Sequence, residues 1–190
     1  MNAMKLRTLA AAVALAIPFA ANAESNITTG GGANITATAR VNFSVAIPKI
    51  VFLQVGTGTF LAANGTIDTI AFSVPAANVG DSTPVAGTGG NLTGGQVTVR
   101  VLGNNGDMTL GATGPATLVS GADTLAWSQI TATPAGGAPA LPAVNGATVT
   151  LPAVGKVVNI NGQWTYSYAN TVSPASGTYT GQVLYTATTP

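Results

Sequence analysis

From Ile35 to Ile47 every second residue is apolar. Ile35, Ala37, Ala39, Val41, Phe43, Val45 and Ile47 fall on one side of an extended chain, with Thr36, Thr38, Arg40, Asn42 and Ser44 on the other. A period of two lines one face of a strand and scatters around a helix, so this run commits its residues to β structure. It is more than twice the usual strand length of about five or six residues. Pro48 ends it, because proline has no amide hydrogen to give to a ladder.

The rest of the chain has the same character. Val and Thr are plentiful, no stretch after residue 23 carries a sustained helical stripe, and helix-surface residues such as Lys, Glu and Arg are scarce. Strands are expected at 50–55, 66–74, 96–102, 107–111, 116–119, 125–132, 147–151, 156–160, 163–169 and 178–188. Asn104-Asn105-Gly106-Asp107 and Asn161-Gly162 read as two hairpin turns, since Asn, Asp and Gly accept positive φ. Residues 76–95 read as a long surface connection, and 134–146 as a Pro/Ala/Gly-rich excursion. Leu-Pro-Ala-Val occurs at 141–144 and 151–154, two copies too few for a repeat array. About ten short, uneven strands indicate an all-β fold, an immunoglobulin-like or pilin-like antiparallel β-sandwich.

The first 23 residues read as an address. Lys5 and Arg7 precede the apolar run Leu9–Ala20, and Ala21-Asn22-Ala23 offers small residues for cleavage before Glu24. The run is shorter than the ~20 residues a spanning helix needs, so a cleaved signal peptide is favoured over a membrane anchor, and no membrane span is expected after cleavage. Residues 24–34 then form a flexible polar leader, and 35–190 a single sandwich domain. Removing Lys5 and Arg7 leaves four cations against five acids, a net charge of −1 instead of +1.

Composition excludes much chemistry. With no His and no Cys there is no imidazole base, no thiolate and no disulfide. Six Lys and Arg make no basic stripe, so nucleic acid is not an expected partner. Asp68, Asp81, Asp107 and Asp123 sit in turn-like or solvent-facing sequence, Glu24 begins the expected mature chain, and no pair has a recognisable catalytic spacing. Asn104, Asn105 and Asp107 lack the acidic spacing of a calcium loop. No catalytic residue, metal or cofactor is expected, and the chain does not read as an enzyme.

Two surfaces remain. Trp164, Tyr166 and Tyr168 share one face of a strand, either as a core row or as a sugar-stacking platform; Tyr179 and Tyr185 line one face of the last strand. Low charge also removes the Lys and Glu that blunt sheet edges and favours association. The long run 35–47 then either switches sheets within its own domain or adds to a neighbour's sheet, with Ile35, Ala37, Ala39, Val41 and Phe43 as the donor face.

The ending Gly177-Thr-Tyr-Thr-Gly-Gln-Val-Leu-Tyr-Thr-Ala-Thr-Thr-Pro190 and the opening Ala39-Arg-Val-Asn-Phe-Ser-Val resemble spore-coat-U-like archaic chaperone–usher pilins. The ending is also similar to the distal motif of WxL cell-surface proteins, with Tyr185 for the Trp and Ala187 for the Leu. The resemblance covers about 14 residues at the end and a pattern at the start. The missing cysteines and the Thr-Thr-Pro tail depart from the pilin pattern. What it implies is a fimbria-like subunit polymerising by strand complementation, exported through the periplasm to the cell surface or fimbrium, with a periplasmic chaperone and an outer-membrane usher as partners and roles in adhesion and biofilm. The alternative is a monomeric secreted carbohydrate-binding module using Trp164, Tyr166 and Tyr168.

Overall fold

A computed structural model describes residues 24–190, so the signal-peptide reading of 1–23 lies outside the described residues. The chain divides into two compact units, Met1–Ile47 and Pro48–Pro190. Within the first, residues 24–47 contain neither helix nor strand. Arg40 forks onto the Glu24 carboxylate, with Nε–Oε2 at 2.7 Å, and the Thr28 hydroxyl donates to the Thr36 carbonyl. The expected strand at 35–47 is therefore absent. A strand forms only where its amides find a partner edge, and alternation alone supplies none.

The second unit is all-β. Its strands are β1 (Val51–Val55), β2 (Ile70–Ala71), β3 (Val85–Ala86), β4 (Thr88–Gly89), β5 (Gln96–Gly103), β6 (Met108–Thr113), β7 (Leu118–Ser120), β8 (Asp123–Leu125), β9 (Ile130–Ala135), β10 (Val149–Leu151), β11 (Val158–Tyr168) and β12 (Leu184–Thr188). One sheet runs β1-β5-β11-β3, with β9 also paired to β11; a second runs β10-β6-β12. Every strand pair is antiparallel. The two sheets close over one core. Val97, Val99 and Val101 from β5 meet Met108 and Leu110 from β6, Leu151 from β10, and Val158 and Trp164 from β11. A smaller cluster of Leu118, Leu125 and Tyr168 lies under the β7–β8 hairpin.

Both expected hairpins are corrected. Asn104–Asp107 joins β5 to β6, but these strands lie in different sheets and do not pair, so the turn is a corner across the sandwich. Gly106 takes φ +100° there and its amide bonds the Lys156 carbonyl at 3.0 Å. Asn161-Gly162 is no turn at all: β11 passes straight through it, paired with β5 from Val158 to Thr165. Gly162 is present because the 135–138 turn crosses over it. A methyl group at that position would come within 2.5 Å of the Ala135 carbonyl oxygen. The tight turn that does form in this region is Gly155-Lys156, both with positive φ, closed by bonds between Val154 and Val157.

Candidate functional site

β1 and β12, the first and last strands of the unit, lie close to each other without pairing. β1 pairs only with β5, and β12 only with β6. After β1 the chain makes a loop and returns as residues 66–74, of which only Ile70 and Ala71 are in a ladder, with β4. Before β12, residues 178–183 are extended but contribute a single bridge, Thr180 to Val119. Between 66–74 and 178–185 lies an open trough of about 1390 Å³. Ile70, Phe72 and Val74 form one wall, Tyr179, Val183 and Tyr185 the other. Val97, Tyr166 and Tyr168 make the floor, and Leu118, Leu125 and Trp127 close one end.

In 66–74 the side chains alternate, with Asp68, Ile70, Phe72 and Val74 half-buried while Ile67, Thr69, Ala71 and Ser73 are exposed. Apolar surface remains open at the rim, where Ile67 is 71% and Leu184 66% exposed. A soluble monomer seldom leaves contiguous apolar surface of this kind uncovered.

The donor candidates Ile35, Ala37, Ala39, Val41 and Phe43 are all exposed, and so are Val45 and Ile47. Phe43, at 90% exposed, is as open to solvent as a side chain can be in a folded chain. At about 3.3 Å per residue, an extended 35–47 spans roughly 43 Å, enough to run the whole length of the trough wall 178–185 at roughly 26 Å.

The row proposed as a sugar platform is core. Trp164 has no exposed surface, and Tyr166 and Tyr168 are buried. β11 sits between β5 and β9, and this face points toward the second sheet. The Trp164 indole N–H donates to the Pro139 carbonyl at 2.7 Å, and its ring packs on Tyr185 at 5.3 Å between centroids. The Tyr166 and Tyr185 hydroxyls bond each other at 2.9 Å across the sandwich. Burial pushes both phenols above their ordinary range, with the neighbouring Tyr185 adding to the effect on Tyr166. Trp164, at the centre of this packing, offers no face to a solvent-borne sugar.

Three of the four aspartates, Asp68, Asp81 and Asp107, are occupied by backbone and side-chain donors. Asp68, expected to face solvent, accepts from the Thr57 amide and hydroxyl. Asp107 accepts from the Ala153 amide at 2.8 Å. Asp81 accepts from Asn78 and the Thr83 amide, and these bonds to its charged form hold its carboxyl below the usual range. Asn170, 1% exposed and with φ +56°, ties this loop down: its amide nitrogen donates to Asn78, Asp81 and Thr83, and its oxygen accepts from the Gly80 amide. Nothing in the local sequence marked Asn170, because its partners lie some ninety residues away. Asn104 is likewise committed, as it accepts from the Ile50 amide at 2.9 Å and donates to the Pro48 carbonyl at 2.8 Å. Among the described residues no three His, Cys, Asp or Glu side chains gather as a metal site, and no helix is long and apolar enough to cross a membrane.

No family model, curated protein or solved structure matches the chain.

Proposed function

We propose that this chain is an exported structural or adhesive cell-surface subunit that polymerises by strand complementation. The segment 35–47 of one copy fills the trough of the next, and its backbone extends the neighbour's sheet. The observation that carries this reading is the pairing, in one sequence, of a sandwich open along one side with an unpaired, exposed run whose alternation suits that opening.

The energetics favour the same reading. Burying Val41, Phe43, Val45 and Ile47 contributes roughly 1.5–3 kcal/mol for each side chain, a gross gain large enough to offset the ordering of a flexible segment and the loss of free translation. Four unpaired backbone edges, on 35–47, 66–74, 178–183 and β12, gain partners in the same step. The resemblance to archaic chaperone–usher pilins supports the reading and adds its partners, a periplasmic chaperone and an outer-membrane usher, with a fimbrium at the cell surface as the place of action.

The test is Phe43→Asp, with Val41→Asp as its companion. Because Phe43 is exposed in the single chain, the substitution leaves the monomer's thermal unfolding within about 2 °C, consistent with surface changes of under ~0.5 kcal/mol. In the polymer it places a carboxylate in an apolar trough, so sedimentation of the variant finds monomers where the native chain forms filaments. Normal filaments from both variants would sink the donor assignment.

A further inference from the structure

Four Asn-Gly pairs occur in the chain, at 64–65, 105–106, 145–146 and 161–162. In such a pair the glycine amide nitrogen reaches the asparagine carboxamide carbon more readily than any other residue's would, because no Cβ hinders the approach. The attack needs an amide free of hydrogen bonds, a backbone able to bring that amide onto Cγ, and an NH2 group free to leave. The structure supplies all three at one pair.

The other three are locked. The Gly106 amide donates to the Lys156 carbonyl at 3.0 Å, and Asn105 Nδ2 donates to the Pro190 carbonyl at 2.7 Å. The Gly146 amide donates to the Ala143 carbonyl at 3.1 Å. Gly114 holds both ends of the Asn145 carboxamide, its amide donating to Oδ1 at 3.1 Å and its carbonyl accepting from Nδ2 at 2.9 Å. Asn161 and Gly162 lie inside β11, opposite Arg100 and Val99 of β5, and Arg100 Nε donates to Asn161 Oδ1 at 2.9 Å. An extended strand points each side chain out of the pleat and away from the next amide, so ring closure there requires leaving the ladder.

Asn64-Gly65 differs on every count. Residues 63–69 belong to no helix or strand, and Asn64, Gly65 and Thr66 are exposed. No atom comes within 4 Å of the place a Gly65 side chain would take. Among the described residues neither the Gly65 amide nor Asn64 Nδ2 has a hydrogen-bond partner. The bond the pair does make favours reaction, for the Thr66 amide donates to Asn64 Oδ1 at 2.7 Å. It folds the carboxamide back over the Gly65 peptide. It also sets a donor on the oxygen that takes up negative charge as Cγ becomes tetrahedral.

We propose that the fold singles out Asn64 as a site of spontaneous, one-way modification. Hydroxide removes the Gly65 amide proton, and the nitrogen bonds to Asn64 Cγ. The Cγ–Nδ2 bond then breaks, and Nδ2 leaves as ammonia by taking a proton from water, which regenerates hydroxide. A second water opens the resulting succinimide ring. Opening at Cγ gives aspartate; opening at the Asn64 backbone carbonyl gives isoaspartate, whose main chain carries one extra carbon. Either product adds a second acid to the loop 57–68, where Asp68 is the present one. Asn64 lines the trough, so the new charge and the lengthened backbone fall at its rim, just before the wall 66–74. The assignment does not depend on the strand-complementation reading.

The monomeric fraction of the full chain is incubated in heavy-oxygen water at neutral to mildly alkaline pH, and mass spectrometry of its peptides reads heavy oxygen gained at each of the four asparagines. In the folded chain Asn64 converts about tenfold or more faster than Asn105, Asn145 or Asn161, the scale of one ordinary hydrogen bond broken before attack. Its rate rises with hydroxide concentration. Unfolded in urea, the four convert at similar rates. Gly65→Ala, whose methyl group enters open space, leaves thermal unfolding unchanged and slows Asn64 severalfold without affecting the other three. Equal rates at the four sites of the folded chain overturn the proposal, as does faster conversion at any of the other three. If Asn64 leads by the same factor in urea, its neighbours in sequence select it and not the fold, and the proposal falls. A Gly65→Ala chain that converts at the native rate overturns the ring-closure route and the proposal with it.

Discussion

Replacing Trp164 with Ala separates the core reading of β11 from the ligand-platform reading by magnitude. Trp164 has no solvent-exposed surface, packs edge-on against Tyr166 at 6.4 Å and tilted against Tyr185 at 5.3 Å, and donates its indole N–H to Pro139. Truncating a fully buried tryptophan costs about 3–5 kcal/mol, from lost transfer energy and from the cavity left behind. For a domain of this size 1 kcal/mol moves the melting midpoint by about 2–4 °C, so the expected fall is roughly 6–20 °C. A ring on a sugar-binding surface would cost under ~0.5 kcal/mol, a shift of about 2 °C at most. The two readings therefore predict ranges that do not overlap. The assay is thermal unfolding followed by circular dichroism, run on the Phe43→Asp background so that polymer does not mask the monomer's midpoint. A shift below 2 °C, together with loss of glycan binding, would refute the assignment of this row to the core.

Two further outcomes follow from local geometry. Gly162→Ala forces a methyl group against the Ala135 carbonyl and the Ala138 backbone; this overpacking of a crossing has an expected cost of about 1–3 kcal/mol, read as a lower midpoint in chemical denaturation. An unchanged midpoint would mean that the 135–138 turn does not close over β11. Asp81, whose carboxyl is held below its ordinary value of 3.8 by Asn78 and Thr83, stabilises the 78–83 loop at pH values above that ordinary value. The contribution is lost as pH falls through the depressed folded value. Asp81→Asn should therefore lower the loop's amide-exchange protection above that pH and remove its fall in acid; protection and an acid limb identical to those of the native chain would count against it.

The strand content was legible because alternation is a local property. Val97, Val99 and Val101 could be placed on one face from spacing alone, and they line the core. Turn chemistry was legible only as conformation. Asn104–Asp107 does reverse the chain, but whether a turn joins partners in one sheet or crosses between two is set by what packs against the flanking strands. Gly162 shows the same limit, since a glycine needed for close backbone approach looks like a glycine needed for a turn. Asn170 left no local signal, because its bonds reach across about ninety residues.

The sequence by itself determined that this chain is β, poor in charge, without imidazole or thiol, and apolar at every second position of 35–47. Those properties follow from residue type and spacing of two. Only the tertiary structure decided that the aromatic row is buried and that an open trough lies between 66–74 and 178–185. Burial and an unfilled place in a sheet are relations between segments far apart in the chain, and hydrophobic packing settles them only when the whole domain has closed.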